Sequence, residues 1–334
     1  MNPKKEDSRT RFADELPPGR SCPLHYRYAP EALDRAPEIR AETLYVIGGL
    51  YGNVPALSAL RALASGEATP PQFVFNGDFN WFDVDPGRFR QVNESVLGHP
   101  ALRGNVETEI AGAHADAGCG CAYPDYVGAA EVEFSNRIIE RVRHVAQDAA
   151  DISARLLRLP MHLTAQVGTV RIGIVHGDAE SLAGWGFACS ELDDTRNHSK
   201  FGEWFRRANV RVFASSHTCL PALRAFDLPG GTAAVINNGA AGMPNFSGTQ
   251  YGVITRIGLT PAPAGRTLYG CRIDGVFVDA LRLDYDHRLW LRHFLADWPE
   301  GSPAHASYFR RIVSGPPHTI DQALGNELWR ACGE

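Results

Sequence analysis

YVIGGLYGNVPAL, residues 45–57, is a short apolar run that breaks into glycines and resumes as an amphipathic segment. A buried strand, a glycine turn and a helix follow one another in this way where an open α/β sheet delivers functional groups to the carboxyl ends of its strands. The helix extends through VPALSALRALAS (54–65). The tip of the turn holds Gly49 and Tyr51 and no acid or imidazole, so the chemistry has to be sought on neighbouring strands.

The same texture returns in FVFNGD (73–78), RIGIVHGD (171–178) and VRVFASSH (210–217), each a β-branched or aromatic run of the kind that is buried on both faces of a sheet. Residues 129–157 carry apolar positions at helical spacing. From about residue 221 the pattern changes to strands, in TAAVINNG (232–239), YGVITRI (251–257), TLYGCRI (267–273) and GVFVDALRLDY (275–285), which predict a second sheet facing the first. Residues 1–40 read as an N-terminal arm whose first part trails, 41–285 as one α/β domain, and 286–334 as a helical extension whose Trp and Phe anchors are expected to cap a sheet edge.

A net charge of −5 offers nucleic-acid phosphates no attraction, so no DNA or RNA partner is expected. The start, MNPKKEDSRTRF, has no apolar core and no later stretch reaches the ~18 apolar residues of a membrane span, which predicts a cytoplasmic protein without a membrane partner. Seven cysteines spread over 334 residues fit reduced thiols better than a disulfide framework. Cys119-Gly-Cys121 lacks a second Cys/His pair at zinc-finger spacing and reads as a tight turn with two half-buried thiols.

Four other strand tips carry groups of one chemical kind: Asp78 in NGD, Asn105 in RGNVE, His176 in VHGD and His217 in SSHTC. A carboxylate, an amide oxygen and two imidazoles make a hard-to-borderline site for one divalent ion, with Mn, Fe and Zn as the candidates. Glu107 reads as a carboxylate on a helix N-terminus, and Asp178 either orients an imidazole or caps the next helix.

Read in order, G-x-x-G-N, G-D, G-N-x-E, V-H-G, S-H-T-C-x-P and N-N-G-A-A-G resemble the motifs of the calcineurin-like metallophosphoesterase superfamily over roughly residues 43–260. The resemblance looks closest to the small bacterial phosphodiesterases and phosphatases. It implies a four-layer α/β/β/α sandwich of two mixed sheets flanked by helices. It also implies that Asp78, Asn105, His176 and His217 form a complete second-metal set and carry catalysis. The first-metal half is degenerate: Gly49 and Tyr51 stand where the family has Asp and His, and Cys219 where it has the last His. A second, weaker ion would have only Cys219 and Tyr51 beside Asp78.

These residues imply a single-metal phosphoesterase that hydrolyses a small phosphomonoester or phosphodiester, with Tyr51, Cys219 and Arg103 as substrate contacts. The alternative is a catalytically silent relative that uses the fold as a binding or regulatory module. Val106 stands where the family has the His of the leaving-group acid, so good leaving groups would be favoured. Trp81 and Phe82 in FNWFDVDP read as a plug, and the basic helix KFGEWFRRANVR (200–211) as a solvated face.

Overall fold

The computed structural model describes residues 16–112 and 117–331, with side chains to residue 325. The opening part of the arm, read as trailing, lies outside the described residues through residue 15. Twelve strands are described: β1 (Ile39–Ala41), β2 (Thr43–Ile47), β3 (Gln72–Asn76), β4 (Ala101–Leu102), β5 (His162–Val167), β6 (Val170–Val175), β7 (Val212–Ser215), β8 (Pro221–Leu228), β9 (Gly231–Asn238), β10 (Gly252–Gly258), β11 (Thr267–Ile273) and β12 (Val276–Leu283). They form two six-stranded sheets, ordered β11-β12-β10-β2-β3-β4 and β1-β5-β6-β7-β9-β8. The strands after residue 221 therefore do not make a sheet of their own, as the sequence pattern predicts. β8 and β9 extend the sheet of β6 and β7, and β10 to β12 extend that of β2.

Both sheets are mixed. β2, β3 and β4 run parallel, with β4 at one edge, as do β6, β7 and β9, and antiparallel strands continue the first sheet beyond β2 and the second on both sides. Alternation along the strands sorts the core into layers. Leu44 and Val46 on β2 join Val74, Ile172, Ile174, Val212 and Ile236 between the sheets. Tyr45 and Ile47 point the other way, onto Leu57 and Leu60 of the helix 54–64 and Ile138 and Val142 of the helix 129–147. Across the second sheet, Val175, Phe213 and Val235 pack on Phe201, Trp204 and Phe205 of the helix 198–208. Every side chain of β2 is buried, which is why its sequence shows no polar alternation. The result is the helix/sheet/sheet/helix sandwich predicted above.

The later part of the arm packs: Tyr26 and Leu33 are fully buried and Ile39–Ala41 pairs with β5 as an edge strand. In the C-terminal segment, Trp290, Phe294 and Trp298 do not cap a sheet edge. They pack into the core beneath the helical layer, and it is the helix 320–331 that packs on the edge strand β8. Among the described residues no helix is long and apolar enough to cross a membrane.

Candidate metal centre

The two parallel strand sets end against each other, so the loops after β3, β4, β6 and β7 meet. Asp78 lies two residues beyond β3 in the left-handed region at φ 52°, an unfavourable conformation for a residue with a side chain. Glu107 holds it there. Its carboxylate accepts from the backbone N–H groups of Asp78 (2.7 Å), Phe79 (3.0 Å) and Asn80 (3.3 Å), from the Asn80 side chain (3.2 Å) and from Gly104 N (2.9 Å). Glu107 thus faces its helix N-terminus as expected, and it also clamps the Asp78 loop. Close approach dictates the glycines: a Cβ on Gly77 would sit 2.7 Å from His176 Nδ1.

Asn105 is the first residue of the helix 105–111. Its Nδ2 donates to Cys119 O (2.9 Å), which turns Oδ1 inward to 3.1 Å from His176 Nε2. His176 Nδ1 lies 2.9 Å from Asn76 O, and His217 Nε2 lies 3.0 Å from Cys121 O. A carbonyl only accepts, so both of these outer nitrogens carry hydrogen. His176 Nε2 and His217 Nδ1 are left facing each other at 3.1 Å, with Asp78 Oδ2 3.3 Å from the former. The ligand atoms of Asp78, His176 and His217 lie within 4.8 Å of one another, and all four residues are buried.

This arrangement is the test of fit for a cation. Two imidazole nitrogens, a carboxylate and an amide oxygen converge on one point, where a positive charge, a proton on His176 or a bound cation, satisfies them all. Burial opposes charge on all of these groups, but Asp78 still holds His176 above the ordinary imidazole range, and His176 holds Asp78 below the ordinary carboxylate range. Burial, followed by His176, pushes His217 down to about 3, so its ring stays neutral and ready to ligate. Outer N–H groups fixed on carbonyls leave the inner nitrogens of both rings to ligate a divalent ion of the Mn, Fe or Zn type, which at His176 takes the place of the proton that Asp78 favours.

The first-metal half is filled by other chemistry. The Tyr51 ring, at φ 54°, lies over Gly49, and its hydroxyl is 2.9 Å from Cys219 Sγ, itself at φ 59°. Burial raises the pKa of both groups, which keeps phenol and thiol protonated and makes them poor metal ligands. Arg311, from the helix 303–314, donates to Cys219 O (2.6 Å) and brings a positive charge to the same corner. Position 49 has no room for the family's Asp, because a Cβ there would lie 3.1 Å from Tyr51 Cζ and 3.2 Å from Ala240 Cα, on a backbone at φ 65°. Gly49→Ala is expected to destabilise the fold by about 1–3 kcal/mol, measured by denaturant unfolding.

A cavity of about 140 Å³ opens on the centre, lined by Asp78, Asn105, His217, Thr218 and Cys219, by Cys121, and by Tyr51, Trp81, Tyr123, Trp185 and Tyr308. Among the described residues no lysine or arginine lines it. Arg103, read as a substrate contact, instead donates to Leu157 O (3.1 Å) away from the cavity, because its side chain leaves β4 on the side of the helix 150–156. Phe82 plugs the gap against Trp290, Phe294 and Tyr308, whereas Trp81 also reaches the cavity wall. The basic helix stays clear of it: Arg207 pairs with Glu31, and Lys200 stacks over Trp204. Asp178 touches no imidazole, and its carboxylate closes a loop by accepting from the backbone of Glu180, Ser181 and Gly186.

Sequence reasoning missed the supports. Tyr308 and Arg311 sit three apart on one helix face, a spacing legible in SYFRR, but nothing there marks their target. The turn at Cys119-Gly-Cys121, expected to hold two half-buried thiols, is buried and closes into a disulfide. Gly120, at φ 66°, brings the two Cα atoms to 5.4 Å, within the reach of such a bond.

No protein-family model and no curated protein matches the sequence. In structure the chain is similar to a hypothetical protein from Pyrococcus horikoshii OT3, with a TM-score of 0.55 and 15% identity over 83% of this chain and 99% of that one. It is also similar to a metallophosphoesterase from Sphaerobacter thermophilus, with a TM-score of 0.50 and 17% identity over 83% of this chain and the whole of that one. The layered sheets and these likenesses agree on one conclusion: the chain has the α/β sandwich fold of that metallophosphoesterase, two mixed sheets flanked by helices.

Proposed function

We propose that this protein is a phosphoesterase that uses one divalent cation, held by Asp78, Asn105, His176 and His217, to hydrolyse a small phosphomonoester or phosphodiester. The observation that supports it most is the inward-facing pair of imidazole nitrogens at 3.1 Å, each fixed by a carbonyl behind it. The convergence of four groups of metal-ligand type on one buried point favours this reading over a module that uses the fold only for binding. When bound, the ion supplies positive charge for a phosphoryl oxygen and acidifies water.

The chain's own residues account for the rest of the chemistry. Asp78 and Asn105 set the position of the charge. The Asn76 and Cys121 carbonyls fix the tautomers of the two rings, so that neither ring can take up a proton at its outer nitrogen. The neutral Tyr51 hydroxyl and Cys219 thiol border the cavity in a chain in which the thiol donates to His217 O (3.2 Å) and the hydroxyl to the sulfur, so the Tyr51 hydroxyl can turn to a phosphoryl oxygen as a neutral donor. Without a lysine or arginine in the lining, a singly charged ester suits the cavity better than a polyphosphate. The five aromatic residues around it suit a flat, apolar leaving group. Val106 has no proton to give, so such a group must leave as its anion, as an aryl oxide of low pKa does.

Metal analysis by mass spectrometry tests the reading. About one equivalent of a transition metal is expected in the purified protein, with none in Asp78→Ala. Two equivalents would mean that Tyr51 and Cys219 rebuild the other half, and no metal in either protein even after reconstitution would end the proposal.

A further inference from the structure

We propose that Cys119 and Cys121 are a reversible dithiol–disulfide site in the wall of the cation cavity, and that closing this ring tightens the cation's hold. The turn is the support of two of the four ligands. Cys119 O accepts the Asn105 amide at 2.9 Å and Cys121 O accepts the His217 ring N–H at 3.0 Å, while Cys121 Sγ lies 3.6 Å from Asn105 Nδ2. The backbone that carries both carbonyls passes through the left-handed region at Gly118, Gly120 and Ala122, and Cys119 N–H donates to Asn136 Oδ1 while Cys121 O also accepts the Trp185 indole N–H. The disulfide between the two cysteines closes that path into a small ring. In a reducing compartment a bond of this kind is a sensor or a catalytic device more often than a structural staple.

Cys121 lines the cavity whereas Cys119 is fully buried, so a small thiol that enters meets Cys121 first. Its thiolate attacks Cys121 Sγ, the S–S bond breaks, and Cys119 leaves as a thiolate that takes up a proton. A second thiol then attacks the mixed disulfide and releases Cys121, which is protonated in turn. The protein gains two electrons and two protons, and the two small thiols leave as one disulfide. A small disulfide reverses the sequence.

Opening the ring removes a covalent restraint on both carbonyls behind Asn105 and His217, leaving the Trp185 and Asn136 hydrogen bonds to hold the turn. Loss of such an outer partner lowers metal affinity by about 10–100-fold, so reduction is expected to weaken manganese binding by about tenfold. By linkage, bound manganese makes the disulfide harder to reduce by the same factor.

The coupling rests on the cation reading above, whereas the disulfide does not, and one experiment separates them. The full chain is equilibrated with oxidised glutathione or with dithiothreitol, alkylated after denaturation and weighed, and its manganese affinity is measured in each state by titration. Five of the seven cysteines are expected to be alkylated after oxidation and all seven after reduction. Manganese affinity is expected to fall about tenfold on reduction. The Cys119→Ser/Cys121→Ser variant is expected to bind like the reduced protein and to ignore the reductant. Seven alkylated thiols after oxidation, or equal manganese affinity in both states, overturns the proposal. Absence of manganese binding in either state overturns the coupling through the cation reading, and a count of five against seven would show that the disulfide itself had formed.

Discussion

Alanine at His217 is expected to abolish cation retention and any cation-stimulated hydrolysis, with affinity lowered more than the ~100-fold that marks the loss of a mere outer partner. The ring gives the site one of its two imidazole nitrogens, and its Nδ1 faces His176 Nε2 at 3.1 Å. Without it, His176 has only Asp78 and Asn105 to face, an ion pair and a hydrogen bond that a proton can complete. The fold should therefore survive, with the thermal midpoint close to that of the wild type. Cys219→Ala is the comparison, because its sulfur bonds the Tyr51 hydroxyl and the His217 backbone carbonyl and is not one of the four proposed ligands. It should keep the cation and lose less activity on an aryl phosphate. Equal rates in wild type and both variants would mean that a contaminant had been assayed, and retained metal in His217→Ala would refute the ligand assignment.

What the sequence made legible follows from where information is local. Asp78, His176 and His217 each end a strand pattern that can be read within ten residues, Asn105 is marked by the RGNVE motif, and the parallel pairing of β2, β3 and β4 and of β6, β7 and β9 brings them together. The layered fold is legible for the same reason, since strands buried on both faces leave continuous apolar runs. The assignment of the late strands was not. Whether TAAVINNG pairs with β7 or with β10 depends on partners far away in the chain, and the apolar pattern of β9 satisfies either sheet. The same limit hid Arg311 and Tyr308, which reach Cys219 and the cavity from about ninety residues away, and the carbonyls of Cys119 and Cys121, which act through backbone that side-chain identity does not report. Arg103 points to Leu157 O and not into the cavity, because adjacency to Asn105 says nothing about where a side chain just beyond a strand end points.

Alanine at Glu107 is expected to destabilise the protein by about 3–5 kcal/mol and to lower its thermal midpoint by about 4–7 °C. Its carboxylate is fully buried and receives five N–H groups, three of them the backbone of Asp78, Phe79 and Asn80. Each donor left buried without a partner costs about 1–3 kcal/mol, and water entering the space left behind returns part of that. Burial and the Asp78 carboxylate push the Glu107 pKa up to about 7, while the Gly104 and Asp78 N–H groups pull it back toward the ionised form. The loss should reach the metal centre, because these bonds keep Asp78 at its positive φ, and a free loop would relax toward ordinary backbone and carry the carboxylate off His176. Glu107→Gln keeps the volume but turns an NH₂ toward N–H donors, so it should recover packing while regaining only part of the stability. Thermal unfolding monitored by circular dichroism, with metal content measured on the same samples, decides the matter. A Glu107→Ala protein that melts with the wild type and keeps its cation would show that the Asp78 loop holds its shape without the clamp.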